Sequence, residues 1–254
     1  MPEPLCVQAF NKMEEAVHSF ARQVPQPQIV HFRGGFDYRY IEKTLHQALV
    51  QKLARYISTL KAADLLMSHG FVQEQMALKR VFEEIQEDIL FLLFAGTEVE
   101  VTPPDPVEPT CLETYLDKFY QESFDETTLF LDPKPGNFRK EIRDYVARKL
   151  TSEGGTENPE RAEEAREMMR KSRKIYSGYV HAASPEILIM YGGTPPHFQV
   201  EGLPLGGSQH DTHRSDLLIS VFQALCAFHF AARAFGNHQI TSNLKELLDK
   251  WRRR

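Results

Sequence analysis

A chain of 254 residues, 42% hydrophobic and 26% charged, can bury a full core without disulfides or a structural metal. Its 30 Lys and Arg against 35 Asp and Glu give a net charge of -5, which excludes bulk attraction to nucleic acid or anionic membrane and leaves any polyanion site to local clustering. Cys6, Cys111 and Cys226 are too few and too scattered for a disulfide framework or a thiolate zinc site, so a reduced, cytoplasmic protein is expected.

The opening stretch, MPEPLCVQAFNKMEEAV, lacks the charged and apolar regions of a signal peptide. The greasiest run, residues 89–95 (ILFLLFA), falls far short of the roughly 20 residues that span a bilayer, so no membrane partner is expected. Residues 5–24 carry Phe10, Met13, Val17, Phe20 and Val24 at helical spacing, and the stripe stops at Pro25. Residues 38–69 hold the longest helical pattern, with Ile41, Leu45, Leu49, Leu53, Ile57 and Leu60 three or four apart. Gly70 stands where such a helix terminates, and 71–95 reads as a third helix ended by Gly96. The pair predicts a long antiparallel helical hairpin.

Four prolines make 97–109 a loop. Shorter helices follow at 110–121 and 138–150, separated by turn chemistry at 132–137, and 151–159 is a polar linker. Asn158 and Pro159 cap and open a helix that runs to Ala183, and Ser184-Pro185-Glu186 starts a short one ending at Met190. Residues 191–209, with five glycines and three prolines, form a long irregular loop, with a small hairpin around His197–Val200. Asp211 or Thr212 caps a helix over 214–235 that is apolar on nearly every face from Leu217 on, and is therefore central. Thr241–Lys250 forms the last helix, before the basic tail Trp251-Arg-Arg-Arg. The expected fold class is all-α: a single domain with an N-terminal helix and arm (1–37), a core bundle (38–235) and a C-terminal helix and tail (236–254).

Three constellations carry chemistry. On the 71–95 helix, Leu78, Phe82, Ile85, Ile89 and Leu92 share one face, while Arg80, Glu84 and Glu87 lie opposite, bordered by Glu83 and Asp88. Phe91 and Phe94 continue that polar face, which predicts that both sides are covered and that Arg80 and Glu84 form a partly buried pair. A solvated charged face is the alternative. The second constellation is Tyr176-Ser177-Gly178-Tyr179-Val180-His181, where Arg173, Ser177 and His181 form one helical stripe and the terminal histidine suits acid/base work. Its alternative is a histidine that merely caps the helix. The third is His210, His213 and Arg214, read as standing at a helix mouth where free N–H groups receive a phosphate or carboxylate; its alternative is an ordinary Asp or Thr cap with exposed histidines.

No metal or other cofactor is expected. A single glutamate, Glu15, precedes a histidine by three, where a bundle di-iron site needs two such pairs; HExxH is absent, and the two histidines at 210 and 213 have only Asp211 nearby.

The pairing of Leu78, Arg80 and Glu84 (LxRxxxE) with the YSxYVH run at 176–181 resembles an uncharacterised bacterial family of the HEPN-like (higher eukaryotes and prokaryotes nucleotide-binding) all-helical group, related to abortive-infection proteins, over about residues 40–235. The resemblance implies a helical bundle, often a homodimer. Active members cleave RNA without a metal through an Arg-x(4–6)-His motif, and others bind nucleotide or protein. In this chain seven residues separate Arg173 from His181, one more than the motif has. Arg39-x6-His46 and Arg233-x4-His238 fit it, at about the frequency chance supplies.

The resulting expectation is a pocket with His181, Arg173, Tyr176 and Ser177 as catalytic residues. Arg80, Glu84, His210, His213 and Arg214 bind the ligand, a nucleotide or RNA. A non-catalytic interaction protein acting as a dimer, and a small-molecule enzyme with 191–209 as its lid, are the alternatives.

Overall fold

The computed structural model describes residues 4–32, 35–101, 109–121, 135–152 and 156–253. The architecture is all-α. In chain order it comprises α1 (Pro4–Ala21), a hairpin of β1 (Gln28–Phe32) and β2 (Gly35–Arg39), α2 (Leu45–Ser68), α3 (Val72–Val101), α4 (Pro109–Phe119), α5 (Pro135–Thr151), α6 (Pro159–Val180) and α7 (Ser184–Ile187). After a 3-10 turn at Leu188–Met190 come β3 (Tyr191–Gly192), β4 (His197–Phe198), α8 (Ser208–Ala234) and α9 (His238–Arg252).

The expected helical hairpin is α2 with α3, and Gly70 closes it. Its φ of 79° lets Phe71 N–H reach back to the Leu66 carbonyl at 3.0 Å and Gly70 N–H to Met67 at 3.1 Å. The upstream boundary moves. Residues 38–44 are not helical, because the Thr44 hydroxyl accepts from Gln47 N–H while Gln47 Oε1 accepts from Thr44 N–H, a reciprocal cap that starts α2 at Leu45. Ile41, read as part of the apolar stripe, is 51% exposed.

Gly96 does not end α3. A Cβ there would lie 3.2 Å from Leu45 Cδ1, so the missing side chain lets the two rods approach. Of the loop expected at 97–109, residues 97–101 continue α3 and 102–108 lie outside the described residues. Of the turn at 132–137, residues 132–134 are likewise outside, and α5 already includes 135–137. Asn158 caps α6 as expected, its side chain accepting from Arg161 N–H at 3.1 Å.

One contiguous cluster of buried side chains draws on α1, α2, α3, α8 and α9, with Phe20, Tyr56, Phe82, Phe91 and Phe228 among its largest members. Each large side chain so buried contributes about 1.5–3 kcal/mol, and the Tyr56 hydroxyl is satisfied by Gln86 Oε1 at 2.9 Å. The expectation that α8 is buried nearly all round needs correction. Leu217, Val221, Ala224, Leu225 and Phe228 face the core, but Ile219 is 55% exposed and Phe230 48%. Among the described residues α8 is long and apolar enough to cross a membrane, with half of the relevant window buried inside the protein.

The 191–209 segment is docked. Tyr191 and Gly192 pair with Phe198 and His197, and Leu203 is buried with its N–H on the Gly70 carbonyl at 2.8 Å. The contact is glycine on glycine: a Cβ at Gly70 (φ 79°) would meet Leu203 O at 2.2 Å, and one at Gly202 (φ 109°) would meet His69 O at 2.4 Å. Gly70→Ala and Gly202→Ala should each cost more than about 2 kcal/mol in urea unfolding. Gly206→Ala, where φ is 76° but no atom stands within 4 Å, should cost only about 1 kcal/mol.

Candidate functional site

The charged side of α3 is covered in part by α5 and α6, and the cover deepens along the helix: the Glu84 side chain is 32% exposed, while Glu87 and Asp88 are buried. Asp88, 1% exposed, is held by Lys52 Nζ of α2 at 2.6 Å and by both terminal nitrogens of Arg139 on α5. Arg80 Nη2 and Arg173 Nη2, from α3 and α6, donate to the same Glu84 oxygen at 2.6 and 2.8 Å. Ser172 donates to Glu83 at 2.7 Å, and Arg173 Nη1 stands 3.8 Å from Glu87 Oε2.

These acids are not equivalent. Burial raises Glu83 above the ordinary carboxylate range. Burial also pushes Glu87 up to about 7, against the pull of Arg143 and Arg139 and with the repulsion of Glu84 and Asp88. Buried nitrogens Nη1 of Arg80, Arg143 and Arg173 have no hydrogen-bond acceptor among the described residues.

Where α6 ends, this network opens into a shallow groove of about 540 Å³. Arg80, Arg170, Arg173, Lys174, Ser177, Gly178, His181 and Ala183 line it. His181 is the C-cap of α6, its N–H on Ser177 O at 3.0 Å and its side chain exposed. The helix terminates through Ala182, whose φ of 50° is the left-handed conformation usually given to glycine. A constrained backbone thus turns the chain beside the histidine.

The structure therefore brings Arg80, Arg173, Ser177 and His181 to one hollow, with Glu84 bridging the two guanidiniums behind it. It separates the others. Tyr176 is packed against the core, its ring 4.7 Å beneath Lys79 Nζ. α8 begins at Ser208 behind Gly207, so His210, His213 and Arg214 lie inside its first two turns and not at an open mouth. His210 is buried, its Nε2 3.0 Å from Met67 O, where it ties α8 to the end of α2. His213 is buried against Tyr179, ring centroids 6.2 Å apart, and burial lowers its pKa. Arg214 acts on Cys6 and Asp64, toward α1.

The motif-spaced residues elsewhere in the chain do not line the groove. Arg39 pairs with Asp37 at 2.6 Å and His46 packs edge-on against Phe235, while His238 opens α9. Arg170 and Lys174 were not anticipated in the groove. Extending the 173–177–181 stripe one turn toward the start of α6 finds Arg170. Among the described residues, no group of three or more His, Cys, Asp or Glu could hold a metal. None of the family models, curated proteins or solved structures compared with the chain matches it.

Glu87 keeps its proton to higher pH when folded, so folding takes up a proton between about pH 4.5 and 7. Stability falls as pH rises through that window and levels off above it. Glu87→Gln should flatten this part of the profile and be more stable than the parent at pH 8, by about 1 kcal/mol in urea unfolding. A larger stability loss at pH 8 than at pH 5 would mean that the carboxylate is held ionised.

Proposed function

We propose that the groove between α3 and α6 receives the phosphodiester of an RNA strand, and that the chain is a HEPN-like, metal-independent ribonuclease of a defence or toxin type. The observation that carries this reading is the lining itself. Arg80 from one long helix and His181 from the end of another share a hollow with Arg170, Arg173 and Lys174, and its described lining contains no carboxylate. Arg80 and Arg173 are already oriented by Glu84, so they meet a phosphate without losing much side-chain freedom.

In this reading His181 takes the proton of a ribose 2′-hydroxyl, whose oxygen attacks phosphorus. The bond to the 5′-oxygen breaks, that oxygen takes a proton from water, and the hydroxide so formed takes back the proton held by His181. Arg173 and Arg80 face the charge that builds on the phosphorane, and Ser177 donates to a non-bridging oxygen. The products are a 2′,3′-cyclic phosphate and a 5′-hydroxyl. The same reading takes the protein as cytoplasmic and homodimeric, and exposed Ile219 and Phe230 on α8 favour self-association.

Incubating single-stranded RNA with the protein in EDTA should yield 2′,3′-cyclic ends. His181→Ala should slow the reaction roughly 100-fold or more with the melting temperature unchanged. Lys174→Ala should weaken RNA binding and flatten the slope of log affinity against log salt by about 0.7. Cleavage unchanged in His181→Ala removes the catalytic role, and failure of the parent protein to bind RNA at low salt removes the reading.

A further inference from the structure

A second concavity lies at the other end of the α2–α3 hairpin. It measures about 770 Å³, within the range of small-molecule pockets. Four separated stretches build its wall: Pro27 before β1; the end of β2 and the chain after it, with Tyr38, Arg39, Tyr40 and Lys43; Gln51 in α2; and the end of α4 and the residues after it, with Phe119 and Tyr120. The Leu45–Gly96 contact marks this end, and Gly96 lies sixteen residues, about 24 Å, along α3 from Arg80.

Several observations bear on what the cleft takes. Four aromatic rings converge on it, and Tyr38 is 59% exposed. Tyr120 is fixed, its hydroxyl donating to Thr44 O at 3.0 Å and its ring 4.9 Å from Phe119 at a steep angle. Burial raises Tyr40 and Tyr120 above the usual phenol range, so both are neutral.

Lys43 is held at φ 54°. Among the described residues it shares positive φ, outside glycine, with Ala182 alone, and each of the two borders a concavity. No carboxylate of the described residues stands within ion-pair distance of Lys43. Arg39 is taken by Asp37, and Glu42 accepts from Gln47 at 2.8 Å. The cap of α2 is closed by Thr44 and Gln47, so an anion here would rely on the lysine side chain and not on helix N–H groups.

We propose that this cleft binds a planar heteroaromatic ligand carrying a phosphate, of which a nucleotide is the ordinary case, with the ring on Tyr38 and Phe119 and the phosphate at Lys43. Base–aromatic stacking is sequence-tolerant and strong enough to hold such a ring. The α3–α6 groove has no aromatic residue in its described lining, so the two sites differ in what they require. The groove needs phosphate alone, and the cleft needs ring and phosphate together. The inference does not depend on the groove being a ribonuclease site.

Isothermal titration of the full chain with AMP, adenosine, inorganic phosphate and a 5′-phosphorylated pentaadenylate tests it. AMP should bind at least roughly tenfold more tightly than adenosine or phosphate, and Tyr38→Ala and Lys43→Ala should each weaken AMP by roughly tenfold. Tighter binding of AMP than of the pentamer identifies a free nucleotide as the ligand, and the reverse identifies the end of a strand. The proposal is overturned by absence of saturable AMP heat, or by phosphate alone matching AMP. It is overturned equally if AMP binding survives Tyr38→Ala and Lys43→Ala but is lost in His181→Ala, which would place AMP in the groove.

Discussion

Four carboxylates, Glu83, Glu84, Glu87 and Asp88, stand on one side of α3, where Glu87 and Asp88 are buried and Glu83 and Glu84 are half-covered. Removing a carboxylate from water without a partner costs more than a small protein's whole margin of stability. Most of the cations that answer them come from other helices: Lys52 from α2, Arg139 from α5 and Arg173 from α6, while Arg80 and Lys79 belong to α3 itself. Satisfying these charges determines where α5 and α6 lie against the hairpin. The exposed pairs Lys12–Glu15 and Arg166–Glu163 are screened by solvent and contribute little by comparison.

The same constraint prepares the groove. Glu84 holds one nitrogen of Arg80 and one of Arg173, which fixes two guanidiniums from different helices relative to each other before any ligand arrives. His181 is delivered by the end of α6, and the left-handed Ala182 sets the angle at which the chain leaves it. Both features lie on packed helices and their termini, so the hollow has a defined shape. The glycine-rich 191–209 segment is pinned to the α2–α3 turn by Gly70, Gly202 and Leu203, with His210 adding a bond to Met67.

The cleft at the opposite end is built differently. Its rings come from β2, the residues after it and the end of α4; Tyr40, Phe119 and Tyr120 also pack against the central cluster, while Tyr38 leaves aromatic surface in water. A charged hollow and an aromatic one at two ends of the same rod are compatible, because α3 and α2 set their separation and neither shares a residue with the other.

Helical periodicity, caps and breakers are local properties, and they were legible: the α2–α3 hairpin, Asn158 opening α6, and the stripe that aligns Arg173, Ser177 and His181 all follow from residues within a few positions of one another. Gly96 shows the limit. A glycine after an apolar run signals a helix end, yet its role depends on Leu45, fifty-one positions earlier. Periodicity likewise does not say that Arg139 and Lys52 meet at Asp88, or that an Arg/His run after Gly207 is absorbed into α8 and turned toward α1, α2 and α6. Local spacing determined which side chains share a face. Only the packing of distant helices decided which faces are buried, which charges are answered, and which side chains remain turned toward a hollow.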